Sequence, residues 1–314
     1  MNVRVLVWVA FAAALAVVVV PTALAGGHAA SRDPMFASAL SPGDRLWVQR
    51  YSGAGKNPDA PRALGVSPDG SKVFVTGQTN TTGSSDYATI AYDATTGTQL
   101  WAKRYNGPAN FFDVANALGV SPDGSTVFVT GQSDGSGGFE YATIAYDAAT
   151  GTQLWVSRFK GPTGLGNVAN ALGVSPDGSR VFVTGFSHGS GSGRDYATVA
   201  YGAATGTQRW IRRYNGRPND NDSAEALRVS PDGSRVFVTG SSFSFVSNYD
   251  YLTVAYNAAT GQRSWVKREN GPAFGDEQAS ALDVSPDGSR LFVTGRSDGL
   301  TSGTDYETVA YSTG

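Results

Sequence analysis

Few residues in this chain could carry acid–base, nucleophilic or metal chemistry. Histidine occurs twice in 314 residues, at His28 and His188, and cysteine is absent. A Ser-His-Asp triad or a histidine-rich metal site would need more, and a thiolate nucleophile is excluded. His188 lies in a Gly/Ser stretch and reads as a surface loop residue. Acidic oxygen ligands gather in Asn219-Asp-Asn-Asp-Ser-Ala-Glu225, where Asp220 and Asp222 are weak candidates for a hard cation. The alternating acids and distal glutamate of a calcium loop are missing, so the stretch reads as a solvated acidic loop. No Gly-x-x-x-x-Gly-Lys phosphate cradle is present. A formal net charge of −2 gives no reason to expect nucleic acid.

What positions every such residue is a repeat. A Ser-Pro-Asp-Gly turn starts at Ser67, Ser121, Ser175, Ser230 and Ser285, and Trp47, Trp101, Trp155, Trp210 and Trp265 keep step with it at spacings of 54 or 55 residues. The second copy predicts four strands, at 116–121, 126–130, 141–146 and 153–159, with a Gly/Ser-rich loop at 133–138. Val127 and Val129 alternate with Phe128, so the sheet is apolar on both faces and must lie between two others. The pattern predicts an all-β fold, a five-bladed β-propeller of four-stranded antiparallel blades. The last copy stops at Tyr311-Ser-Thr-Gly314, where its fourth strand should begin. Arg45-Leu-Trp-Val-Gln-Arg-Tyr51 aligns with Gln99-Leu-Trp-Ala-Lys-Arg-Tyr105, so the N-terminal strand is expected to complete the last blade and close the ring.

The remaining boundaries follow. Arg4, the apolar run 5–20 and Ala23-Leu24-Ala25 read as a secretory signal over 1–25; a loose lead-in with Pro34 and Pro42 occupies 26–43, and the propeller 44–314. The mature chain is expected to be secreted, extracellular or in the cell envelope, with no membrane span.

Strand alternation sorts the connections. The Ser-Pro-Asp-Gly and Ala-x-Thr-Gly turns share one face and barely vary. The other face collects what differs: 78–86, 132–140, 186–195, 241–250 and 296–305, with the links 106–113, 160–167, 215–222 and 270–277. Candidate ligand contacts on or near it are Arg228 and Asp283, which replace the glycine of the innermost strand found at Gly65, Gly119 and Gly173, together with Glu225, Phe111, Phe112 and Asp113. Arg228 and Asp283 also read as a channel-lining ion pair. An Asp/Glu-Tyr pair opens every third strand, as in Glu140-Tyr141, which suggests a repeated structural bond.

Val120-Ser-Pro-Asp-Gly-Ser-Thr-Val-Phe-Val-Thr130 resembles the repeat of secreted bacterial propellers of the YVTN and β-propeller-repeat type, and is reminiscent of lactonase-like propellers. Ala91-x-Asp93-x-x-Thr96-Gly97-x-x-x-Trp101 resembles the tryptophan-docking motif of quinoprotein propellers; at the Asp position the third and fourth copies carry Gly202 and Asn257. This resemblance implies that Trp101, Trp155, Trp210 and Trp265 pack on a glycine peptide of a neighbouring blade. Quinoprotein dehydrogenases usually place adjacent cysteines beside their cofactor; this chain has none, and no cofactor is expected.

The function expected is a non-enzymatic scaffold presenting variable loops to a protein or a cell-envelope glycan. The alternative is a lactonase-like, lyase or glycoside hydrolase activity using Glu225 and Asp283 near the axis.

Overall fold

In the computed structural model, residues 41–53, 58–81, 83–135 and 137–314 are described; the expected signal segment and the lead-in up to residue 40 lie outside the described residues. The chain divides into two compact units, Met1–Asp44 and Arg45–Gly314. In the first, the Asp44 carboxylate accepts the Ser41 amide at 2.6 Å. The second contains nineteen strands among the described residues.

These strands form five antiparallel sheets. Sheet 1 is β1 (Ala60–Val66), β2 (Lys72–Thr81), β3 (Ser84–Asp93) and β4 (Gln99–Tyr105). Sheet 2 is β5 (Asp113–Val120), β6 (Thr126–Gly135), β7 (Gly138–Asp147) and β8 (Gln153–Phe159). Sheet 3 is β9 (Asn167–Val174), β10 (Arg180–His188), β11 (Arg194–Gly202) and β12 (Gln208–Tyr214). Sheet 4 is β13 (Asp222–Val229), β14 (Arg235–Ser244), β15 (Asn248–Asn257) and β16 (Arg263–Glu269). Sheet 5 has three strands, β17 (Gln278–Val284), β18 (Arg290–Gly299) and β19 (Gly303–Ser312).

Each sheet is a simple meander. The Ser-Pro-Asp-Gly turns join first strand to second. In the second copy Gly124 takes φ +72°, and the Asp123 carboxylate accepts from Ser121 Oγ at 2.5 Å and from the Ser125 amide at 3.0 Å. The second and third strands run longer than the sequence suggests. The loop expected at 133–138 is mostly ladder, with Ser133 paired to Glu140 and Gly135 to Gly138. A buried polar cluster around Ser133 draws these residues into the sheet.

Sheets pack face to face, and each junction has its own core. Between sheets 1 and 2, Phe74, Tyr87, Ala91 and Trp101 meet Ala115, Val127, Val129, Ile144 and Tyr146. Two side-chain ties fasten the junction. At the turn end Trp101 Nε1 donates to Ala148 O of the next sheet at 3.2 Å; Trp155 to Ala203 and Trp210 to Ala258 do the same at 2.8 and 3.0 Å. The indoles lie on Gly151, Gly206 and Gly261, where a Cβ would come within 2.7 Å of the ring, so only glycine fits. At the opposite end Tyr87, Tyr141 and Tyr196 donate their hydroxyls to Ala142, Ala197 and Leu252 carbonyls at 3.0–3.2 Å.

The innermost strands β1, β5, β9, β13 and β17 share one channel of about 310 Å³, lined among others by Ala63, Leu118, Leu172, Leu227 and Leu282. No core of this kind joins sheets 5 and 1 among the described residues. Trp47 docks on sheet 1 as its counterparts dock on theirs, with Nε1 donating to Ala94 O at 2.9 Å and Gly97 under the ring. Residues 45–51 nevertheless form no strand, and β19 has β18 as its single sheet neighbour. Tyr306, the counterpart of Tyr87, is 98% exposed, and Leu64 is 63% exposed. The expected closing strand is therefore held at sheet 1 by its indole and by Tyr51, which packs against Ala88, Ile90 and Tyr92, without pairing to sheet 5.

Candidate functional site

The end of the sheets opposite the Ser-Pro-Asp-Gly turns, the rim, is assembled from a buried polar repeat. Arg104 pairs with Asp86, Arg158 with Glu140 at 2.7 Å, Arg213 with Asp195 at 2.5 Å and Arg268 with Asp250 at 2.6 Å. These are the acids of the Asp/Glu-Tyr pairs, each held by an arginine of the fourth strand. Three arginines also reach the buried serines Ser133, Ser187 and Ser242. Charge-assisted bonds of this kind are short and orienting.

Sequence reasoning missed the second part of this repeat. Asp59, Asp113 and Asp222 turn a carboxylate oxygen to the amides of Gly53, Gly107 and Gly216 at 2.6–2.8 Å, pinning the link between sheets. Asn167 holds the corresponding place, its amide donating to Lys160 O at 2.6 Å and Phe139 O at 2.8 Å. The signal was present: a glycine stands six residues before each of Asp59, Asp113, Asn167, Asp222 and Glu277. Burial pushes the Asp222 carboxyl up to about 6 and raises those of Asp113 and Glu277. Asp113 and Asp222 are thus tethers buried beneath the surface. Asp220 accepts from the Asn221 amide at 2.8 Å, and no group of three or more His, Cys, Asp or Glu among the described residues could hold a metal.

The other candidates lie at the surface. Arg228 and Asp283 form a 3.5 Å ion pair, with side chains 55% and 80% exposed. Phe111 and Phe112 are exposed in the first link, packed edge to face at 4.4 Å between ring centres. Phe243 is flanked by Phe245 at 6.0 Å and Tyr249 at 5.5 Å. Glu225 sits at a bulge of β13 where the strand meets the channel mouth. It accepts from Ser223 Oγ at 2.6 Å and from Asn170 Nδ2 at 3.3 Å, and desolvation raises its carboxyl above the usual range. His188 is half-buried, and burial lowers its imidazole.

Glu225 also lines a cleft of the rim of about 740 Å³, with Arg194, Asn221, Ser223, Tyr249, Gln278 and Arg296 along its wall. That volume is ordinary for a ligand site. Such a wall can hold a polar or charged group by hydrogen bonds.

Sheets radiating from a shared channel, built on a repeated meander, define a β-propeller repeat protein. A family profile described as outer membrane protein assembly factor BamB, of the PQQ_2 repeat family, matches residues 140–308, more than half of the sequence, and the chain belongs to that family. Among solved structures it is similar to hydrazine synthase of Kuenenia stuttgartiensis, with a TM-score of 0.57 and 16% identity over 85% of this chain and 67% of that one. It is also similar to Chaetomium thermophilum Sqt1 bound to the N-terminus of ribosomal protein L10, with a TM-score of 0.50 and 11% identity over 74% of this chain and 55% of the other. These likenesses concern the fold. A search of curated proteins finds no match.

The indoles of Trp101, Trp155 and Trp210 are buried between sheets with their N–H groups bonded, and those of Trp47 and Trp265 are docked in the same way.

Proposed function

We propose that the chain is a secreted, non-enzymatic propeller of the cell envelope that binds a partner protein through its variable rim. One observation carries this reading. Phe111, Phe112, Leu165, Phe245, Val246, Phe274 and Leu300 are all large, apolar and exposed, and all lie in the links or hairpin tips of the rim; at the turn end Val66, Leu100 and Leu154 are exposed, none of them aromatic. Exposed aromatic and aliphatic side chains gathered at one end of the sheets favour a protein interface. The leader-like segment 1–25 supports export.

The test is capture from an envelope fraction by wild type and by a Phe112→Ser, Phe245→Ser double variant, with a glycan array run alongside. A specific protein retained by wild type and lost from the variant by tenfold or more is the expected result. Binding to glycans and to no protein would overturn it.

The same reading includes closure of five blades by residues 45–51. Arg50 occupies the repeat position of Arg104, and Asp305 that of Asp86, so the missing fifth ion pair would be Arg50 with Asp305. Because the chain has no cysteine, Arg50→Cys with Glu307→Cys, at the positions that face each other as Arg104 and Ala88 do in sheet 1, gives a clean probe. An intramolecular disulfide in the monomer is expected. A disulfide-linked dimer, or no bond under oxidation, would reject closure within one chain.

A further inference from the structure

The cleft beside the channel mouth has a chemistry distinct from the apolar tips around it. The Arg194 guanidinium carbon lies over the Phe186 ring, 4.3 Å from its centre, a cation–π contact. Its backbone amide is tied to Asn221 Oδ1 at 3.2 Å, but among the described residues its side chain has no hydrogen bond or ion pair. This contrasts with the four rim arginines that are locked to acids. Arg296, on the far wall, has two acidic neighbours: Asp276 at 3.8 Å, too long for a direct hydrogen bond, and Asp298, whose carboxyl its charge helps to hold down. The Tyr249 hydroxyl and the Gln278 amide, between the two arginines, have no hydrogen-bond partner among the described residues. Glu225, the one acid of the wall, has both oxygens engaged by Ser223 and Asn170.

The repeat shows how specific this is to one sector. The positions of Ser223 and Gln278, opposite Ser241 and Arg296 in the ladders, are Val114 and Val168 in sheets 2 and 3. Sheets 4 and 5 are thus polar where their relatives are apolar. Arginines whose side chains make no direct hydrogen bond keep their donors for carboxylates, which accept two parallel N–H bonds.

We propose that this cleft receives an acidic peptide segment of the partner, with Arg194 and Arg296 taking its carboxylates and Tyr249, Gln278 and Asn221 its backbone. The assignment rests on the reading of the rim as a protein-binding surface. Acidic motifs read by arginine pairs are an established mode of peptide recognition.

The probe is a synthetic hexapeptide of alternating glutamate and glycine, titrated calorimetrically against the full mature protein, with its glutamine counterpart as control. The glutamate peptide is expected to bind at least about tenfold more tightly at low salt, an advantage that fades as ionic strength rises. Arg194→Gln and Arg296→Gln should each bring it to the level of the control, with circular dichroism unchanged. Equal binding of the two peptides, or full retention in Arg194→Gln, would overturn the proposal. So would capture of oligogalacturonate in place of the peptide, which would make the occupant an acidic saccharide. If the cleft fails while Phe112→Ser, Phe245→Ser still loses the envelope partner, the protein-binding rim stands without it; if both fail, the functional reading falls as well.

Discussion

The two ends of the sheets use carboxylates in opposite ways. At the turn end, Asp123, Asp177, Asp232 and Asp287 lie at the surface, collect serine hydroxyl and amide bonds, and are held down at about 2. At the rim, Asp113, Asp222 and Glu277 are buried, and desolvation drives them upward. The first arrangement is uniform in all five copies and asks little of its surroundings. The second substitutes Asn167 for aspartate in one copy and glutamate in another. Where the chain varies, it also accepts electrostatic cost.

The largest effect that would sharpen this contrast is at the turn end. Trp155→Ala removes a buried indole, its bond to Ala203 and its contact with Gly206. A loss of about 3–5 kcal/mol in denaturant unfolding is expected. A loss below about 1 kcal/mol would mean that these ties do not carry the junction.

At the rim the expected sign is reversed. With a folded value near 6 against 3.8 unfolded, Asp222 binds its proton more tightly in the folded state. Its contribution is complete below about pH 4 and is lost as pH rises through 6, a cost of up to about 3 kcal/mol at neutral pH. Asp222→Asn, which copies Asn167, should flatten that slope and leave the protein more stable at pH 7. Unfolding midpoints measured from pH 4 to 8 check it; an unchanged slope would place the burden elsewhere.

The smallest effect belongs to the surface of the cleft. Arg194→Gln should change stability by less than about 0.5 kcal/mol, because its guanidinium makes no side-chain hydrogen bond and touches the Phe186 face, with only a charge interaction with Glu225 and His188 besides. A larger fall would make Arg194 part of the scaffold.

Much of this was legible beforehand. The stepping of Ser-Pro-Asp-Gly and tryptophan gave the sheets, and the Asp/Glu-Tyr pairs announced a repeated bond, which the rim arginines supply. The links were harder. Gly107 and Asp113 are separated by variable residues, so their pairing is visible only as a fixed offset across copies. The cleft was harder still, since Arg194, Tyr249 and Gln278 come from three sheets and no local pattern joins them. Strand ends were underestimated because side-chain bonds such as Arg158 to Ser133 extend a ladder beyond what β-propensity alone would carry.

The indole ties also have a direction. Trp47 grips sheet 1, Trp101 grips sheet 2, and so on along the chain, always from the earlier residue to the later sheet. As the polypeptide leaves the ribosome, each new meander meets a hook already displayed by the one before it. Assembly can then advance vectorially, one sector at a time, with little need to wait for the C-terminus.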